Sequence, residues 1–108
     1  MPKEETIMVY ITCKDEDEAM SISRTLLEER LVACANMFPI RSLYRWEGKM
    51  EDERETAVLF KSRREHTRLL VARIKELHSY EVPCIEIVKV DGGDPDFLGW
   101  VRDETRGK

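Results

Sequence analysis

Long hydrophobic runs are missing from this 108-residue chain. Nowhere do eighteen apolar residues stand together, which excludes a helix that crosses a membrane, and no membrane partner is expected. The opening residues, Met1-Pro2-Lys3-Glu4-Glu5-Thr6, carry no basic stretch followed by an apolar one, so no secretory signal is expected and the expected compartment is the cytoplasm. Glycine and proline are scarce, at 5 and 4 residues. With no linker, repeat or low-complexity tract, residues 1–108 are expected to form one domain, and a hydrophobic share of 42% allows it a modest core. An excess of positive charge is also absent. Twenty-two acidic residues against eighteen basic ones leave a net charge of -4, which argues against nucleic acid as a partner. The three cysteines, Cys13, Cys34 and Cys84, form no C-x-x-C pair, which argues against a disulfide framework and a closed structural zinc site. Neither G-x-x-x-x-G-K-[ST], G-x-G-x-x-G nor H-E-x-x-H occurs, and no serine has a base that the sequence alone places beside it. No organic cofactor and no enzymatic activity are expected.

What is present is a regular alternation of strand and helix signals. Ile7 to Cys13 is a branched apolar run, expected as a buried strand. Asp15 with Glu18 three residues on is a capping box, and Ala19, Ile22, Leu26 and Leu27 mark the inner face of a helix reaching about Glu29. The central stretch, Leu31 to Met50, is expected as one long strand, bent or bulged at Pro39 and turned back at Gly48-Lys49. Ser42, Tyr44 and Trp46 share one parity, and Glu55 to Lys61 is the expected hairpin partner. Glu51-Asp52-Glu53 reads as a solvated run at the turn. Ser62 with Glu65 repeats the capping pattern for a second helix, whose Thr67, Leu70, Val71, Ile74 and Leu77 face inward and which ends near His78. His66 is expected in solvent. Cys84 to Val90 reads as a last strand, followed by an Asp91-Gly92-Gly93 turn. Asp94 and Pro95 then start a short helix, Asp96 to about Asp103, docking through Phe97, Leu98, Trp100 and Val101.

The order strand, helix, strand, strand, helix, strand, helix implies an α+β fold, a ferredoxin-like βαββαβ antiparallel sheet with both main helices on one face. Ile7, Val9 and Ile11 alternate with Met8, Tyr10 and Thr12, while Val58 and Phe60 alternate with Ala57 and Leu59, so both sheet faces are largely apolar. Two helices cover one. The other is expected to meet further copies of the chain, as is the tip of the long hairpin. Two other classes share this order. An RNA-recognition module needs aromatics on its central strands and a basic face, and an acylphosphatase-type enzyme needs a glycine-rich anion loop where Cys13-Lys14-Asp15-Glu16-Asp17 stands; the chain meets neither requirement.

Four stretches, Val32-Ala33-Cys34-Ala35-Asn36, Ser42 to Lys49, His78-Ser79-Tyr80-Glu81-Val82-Pro83 and Gly93 to Trp100, resemble the signature segments of the CutA divalent-cation tolerance proteins, from about Ile7 to Arg102. The resemblance implies a cytoplasmic homotrimer linked to tolerance of divalent metal ions, copper above all. It also implies Cys34 and His78 as the leading metal ligands, and thiolate with imidazole suits copper and zinc. Cys13, at the end of the first strand, is placed by its own position to approach the same region. For each cysteine, packing as a small hydrophobe stands beside ligation, and for His78 a helix-dipole role stands beside it. Ser79 departs from the proline usual in that turn. Tyr44, Trp46, Tyr80, Glu81 and Trp100 match family positions and read as walls of a subunit interface or ligand cleft, with Lys61 beside them. Such a cleft resembles those of the trimeric PII signalling proteins. That leaves a second expectation, a regulator that binds a small molecule and acts on an unknown protein partner.

Overall fold

A computed structural model describes residues 5–106. Its strands are β1 (Thr6–Cys13), β2 (Cys34–Trp46), β3 (Lys49–Arg63) and β4 (Ile85–Lys89), and its helices α1 (Glu16–Glu28), α2 (Thr67–Leu77) and α3 (Pro95–Glu104). They form an α+β structure with one four-stranded antiparallel sheet in the order β2-β3-β1-β4. The apolar parity of β1, namely Ile7, Val9, Ile11 and Cys13, is fully buried with Val58 and Phe60 beneath Ala19, Ile22 and Leu26 of α1 and Leu70 and Ile74 of α2. Burying these branched and aromatic side chains contributes about 1.5–3 kcal/mol each.

Both ends of α1 are chemically specified. Asp15 Oδ1 accepts the Glu18 N–H at 2.9 Å, while Glu18 Oε1 reaches back past the cap to accept the Lys14 N–H at 3.0 Å. At the other end Arg30 sits at φ 60°, with Arg30 N–H donating to Leu27 O and Leu31 N–H to Leu26 O, a Schellman closure with arginine where glycine is usual. This reversal delays β2. Leu31 to Ala33 lie outside the strand, against the expectation of a strand from Leu31, and the Leu31 carbonyl accepts the Ser62 hydroxyl at 2.6 Å.

Two further differences follow from pairing. The β2–β3 register runs unbroken from Cys34↔Lys61 through Pro39↔Thr56 to Trp46↔Lys49, so no bulge forms at Pro39. Because β2 is an edge strand, the N–H that proline lacks costs the sheet little. The partner strand is also longer than Glu55 to Lys61, because ladder bonds to β2 hold residues 49–54, charged except for Met50, extended. β1 stops opposite Thr56, so the pairs from Ile40↔Glu55 to Trp46↔Lys49 form a two-stranded arm roughly 20 Å long. A two-residue turn closes it, with Glu47 at φ 51° and Gly48 at φ 79°, the left-handed pair that a type I′ hairpin demands. Arg41 grips Asp52 across the arm with two bonds of 2.9 and 2.8 Å.

At α2 the expected capping box is absent, because Ser62 belongs to β3 and its hydroxyl is already bonded to Leu31. A 3-10 turn at Arg64–His66 precedes the helix. His66 is half-buried rather than solvated, its Nε2 donating to the Thr105 carbonyl at 2.7 Å. α3 begins as expected, Asp94 accepting the Phe97 N–H with Pro95 in the first turn, but it docks through Val101 and the buried Thr105 that follows it. Phe97 and Trp100 stay exposed with their rings 5.7 Å apart.

Candidate metal centre and adjoining groove

The end of β1, the start of α1 and the end of α2 converge. They bring Cys13 Sγ, a Glu18 carboxylate oxygen and a His78 ring nitrogen within 4.8 Å of one another. Among the described residues this is the one such group of three or more metal-ligating side chains. Cys13 arrives because the buried parity of β1 ends on it, and Glu18 because the capping box turns its carboxylate inward. His78 arrives because it closes α2, its N–H still bonded to Ile74 O.

The hydrogen bonds define the state of each donor. His78 Nε2 lies 2.8 Å from the Thr12 carbonyl, which only accepts, so the ring proton sits there. His78 Nδ1 accepts the Tyr80 N–H at 3.1 Å and lies 3.8 Å from Glu18 Oε2. Glu18 Oε2 also accepts the Ser79 N–H at 2.8 Å, a bond that proline at this position could not make. Burial alone would raise the Glu18 carboxyl, but the hydrogen bonds from Lys14 and Ser79, and then the nearby His78, outweigh it and hold it below the usual carboxylate range. The Cys13 thiol is pushed up to about 12 by burial first and then by the charges of Glu18, Glu55 and Asp15. A soft ion would displace that proton. Thiolate, imidazole and carboxylate together suit Cu(II) and Zn(II), so the donor set fits a transition-metal ion.

On the other side of the 78–84 segment, the arm and the body enclose an open groove of about 930 Å³. Tyr44, Trp46, Tyr80 and Glu81 all line it, with Glu51, Glu53 and Glu55. Glu55 is 7% exposed, and its Oε2 accepts the Tyr80 hydroxyl at 2.6 Å. Burial and then that bond raise the Tyr80 phenol, and burial followed by Glu53, Glu55 and Glu51 raises Tyr44.

Three sequence-derived candidates stand apart from both places. Cys34 pairs with Lys61 while Cys13 pairs with Thr56, so they sit on opposite sheet faces and roughly 17 Å apart along the strands. Lys61 instead donates to Asn36 Oδ1 at 2.6 Å, and Trp100 stacks with Phe97 on α3. Cys84 lines the groove. Sequence reasoning missed Glu18 and Glu55. Glu18 was visible only as a capping residue, whereas strand alternation separates Glu51, Glu53 and Glu55 from Asp52 and so would have pointed to the groove.

Comparison with known proteins agrees over nearly the full length. Residues 7–104 match the family model described as CutA1 divalent ion tolerance protein. The divalent-cation tolerance protein CutA of Pyrococcus horikoshii is 44% identical over 100 residues, spanning 93% of this chain and 98% of that protein. That of Thermotoga maritima is 40% identical over 99 residues, spanning 92% and 98%. The solved structure of the Archaeoglobus fulgidus protein, described as a periplasmic divalent cation tolerance protein CutA, superposes with a TM-score of 0.92 at 38% identity, over 94% of this chain and 99% of that one.

Proposed function

The chain belongs to the CutA1 divalent-ion tolerance family, and from that premise we propose that it binds a divalent transition-metal ion through Cys13, Glu18 and His78. The observation that carries this reading is the convergence of three chemically different donors in a buried corner. Copper is the favoured ion, since it heads the affinity order of divalent first-row metals at nitrogen and sulfur sites. Binding releases the Cys13 proton, so affinity rises with pH. Binding rather than catalysis is the reading because Cys13, Cys84, Tyr44 and Tyr80 are all pushed away from ionisation, which leaves none of them an activated nucleophile.

The working unit is a homotrimer of ferredoxin-like subunits. Support comes from the sheet face opposite α1 and α2, where Phe38 and Val88 remain about 40% exposed, and from an arm whose Leu43 and Met50 are 67% and 70% exposed. The threefold count is what the family resemblance implies. Free Cys13, Cys34 and Cys84 fit the reducing cytoplasm, and cell fractionation tests that placement against the periplasmic description of the Archaeoglobus relative.

The test of the metal reading is a Cu(I) and Cu(II) titration against a competing chelator, beside Cys13→Ala, His78→Ala and Cys34→Ala. Loss of binding in the first two with retention in the third is the expected result, and equal binding in all four proteins sinks it. A second reading rests on the groove, whose Tyr44, Trp46, Tyr80 and Glu81 walls suit a small molecule in a PII-like regulator with a protein partner. Heat protection by a metal-free small ligand favours that reading.

A further inference from the structure

We infer that a metal ion bound by Cys13, Glu18 and His78 loosens the wall of the adjoining groove, because the ring nitrogen facing Glu18 is the one that now holds the Tyr80 backbone. The inference rests on the metal reading above. His78 Nδ1 has one lone pair, spent on the Tyr80 N–H at 3.1 Å, while Nε2 carries the proton bonded to Thr12 O at 2.8 Å. The donors are therefore not equivalent. Each Glu18 oxygen has two lone pairs and can keep its bond to Lys14 or Ser79 while adding a metal. Cys13 gives up only its proton. Nδ1, which lies 3.8 Å from Glu18 Oε2, cannot serve the metal and Tyr80 together.

What Tyr80 releases matters to the groove. The 78–84 segment is tied to the body by Ser79 N–H on Glu18, by the His78 ring on Thr12 O and by the Tyr80 hydroxyl on Glu55. The Tyr80 N–H on His78 Nδ1 pins its first turn to that anchored ring, and the segment supplies Tyr80, Glu81, Val82 and Cys84 to the groove wall. Removing the Tyr80 N–H bond to the ring frees the backbone between the Ser79 and Tyr80 hydroxyl ties. The ion thus changes the shape of a cavity it does not enter, and by reciprocity a looser segment favours the ion.

The test uses the full-length protein with Zn(II) alone as the diamagnetic probe, followed by 15N NMR and hydrogen exchange. At saturation the Tyr80 amide is expected to exchange about tenfold faster or more, and the Trp46 indole resonance to move. Tyr80→Phe, which keeps the ring against His78 but cuts the tie to Glu55, is expected to bind Zn(II) about fivefold tighter or more. Suppose Zn(II) binds and is lost in Cys13→Ser and Glu18→Gln, yet Tyr80 stays protected and Tyr80→Phe binds as the parent does. The coupling is then overturned and the metal reading stands. Absence of Zn(II) binding, or binding indifferent to Cys13→Ser and Glu18→Gln, overturns both.

Discussion

At the scale of single residues, Cys13 and Glu55 set the electrostatics. The Cys13 thiol rises from its ordinary 9.0 to about 12 on folding. Below pH 9 both folded and unfolded thiols are protonated and the protein keeps its full stability. Between pH 9 and 12 the unfolded thiol ionises while the folded one does not, so stability falls as pH rises. Urea midpoints measured upward from pH 8 should decline, and Cys13→Ala should remove a slope of up to about 1.4 kcal/mol per pH unit from that decline. Glu55 contributes to the raised titration of Tyr10, Cys13, Tyr44, Tyr80 and Cys84 alike. Replacing it in Glu55→Gln keeps an acceptor for the Tyr80 hydroxyl but removes the charge. Tyrosinate absorbance should then develop at lower pH than in the parent, and an unchanged curve would show that the Glu55 charge does not hold these groups up. Of this arrangement the sequence disclosed His78, Cys13 and Tyr80 as single positions. That Glu18 joins them depends on which way a capping carboxylate turns its second oxygen, a matter of tertiary contact with Ser79.

At the scale of elements, caps and turns carry local energies that can be tested one by one. Asp15→Ala removes the acceptor for the Glu18 N–H and should cost about 1 kcal/mol in thermal or urea unfolding. It should also weaken metal binding, since the same turn of helix carries Glu18. Gly48→Ala places a side chain at φ 79°, where its Cβ meets nothing within 4 Å. The expected loss of roughly 1 kcal/mol is therefore backbone strain rather than collision. Both features depend on neighbours within a few residues and were legible as such, although the turn expected at Gly48-Lys49 falls at Glu47-Gly48 because Lys49 pairs with Trp46. Ser62 misled for the opposite reason. A hydroxyl with Glu three positions on reads as a helix start, but β3 runs through it to satisfy the β1 ladder and its hydroxyl bonds Leu31, thirty-one residues away in sequence.

At the scale of the whole molecule, the dimensions of 48 × 26 × 22 Å reflect an arm that leaves the sheet with apolar side chains on it. An isolated two-stranded ribbon is marginal in water, so the arm needs a surface to lie on. Phe38→Glu and Val88→Glu each put a charge on the face that α1 and α2 leave open. Sedimentation velocity should show the proposed homotrimer dissociating toward monomers. Variants that sediment as the parent does would remove the support this face gives to the proposed homotrimer.

The sequence by itself determined the strand and helix order, the apolar character of β1, the N-caps of α1 and α3, and the family to which the chain belongs. These follow from periodicity and from local chemistry, which act over a few residues. Tertiary structure alone decided that the arm pairs without a bulge, that Cys34 and Cys13 lie on opposite faces, and that His78 meets Glu18 and Cys13. Register and helix packing bring distant residues together or hold them apart, and neither leaves a periodic trace in the chain.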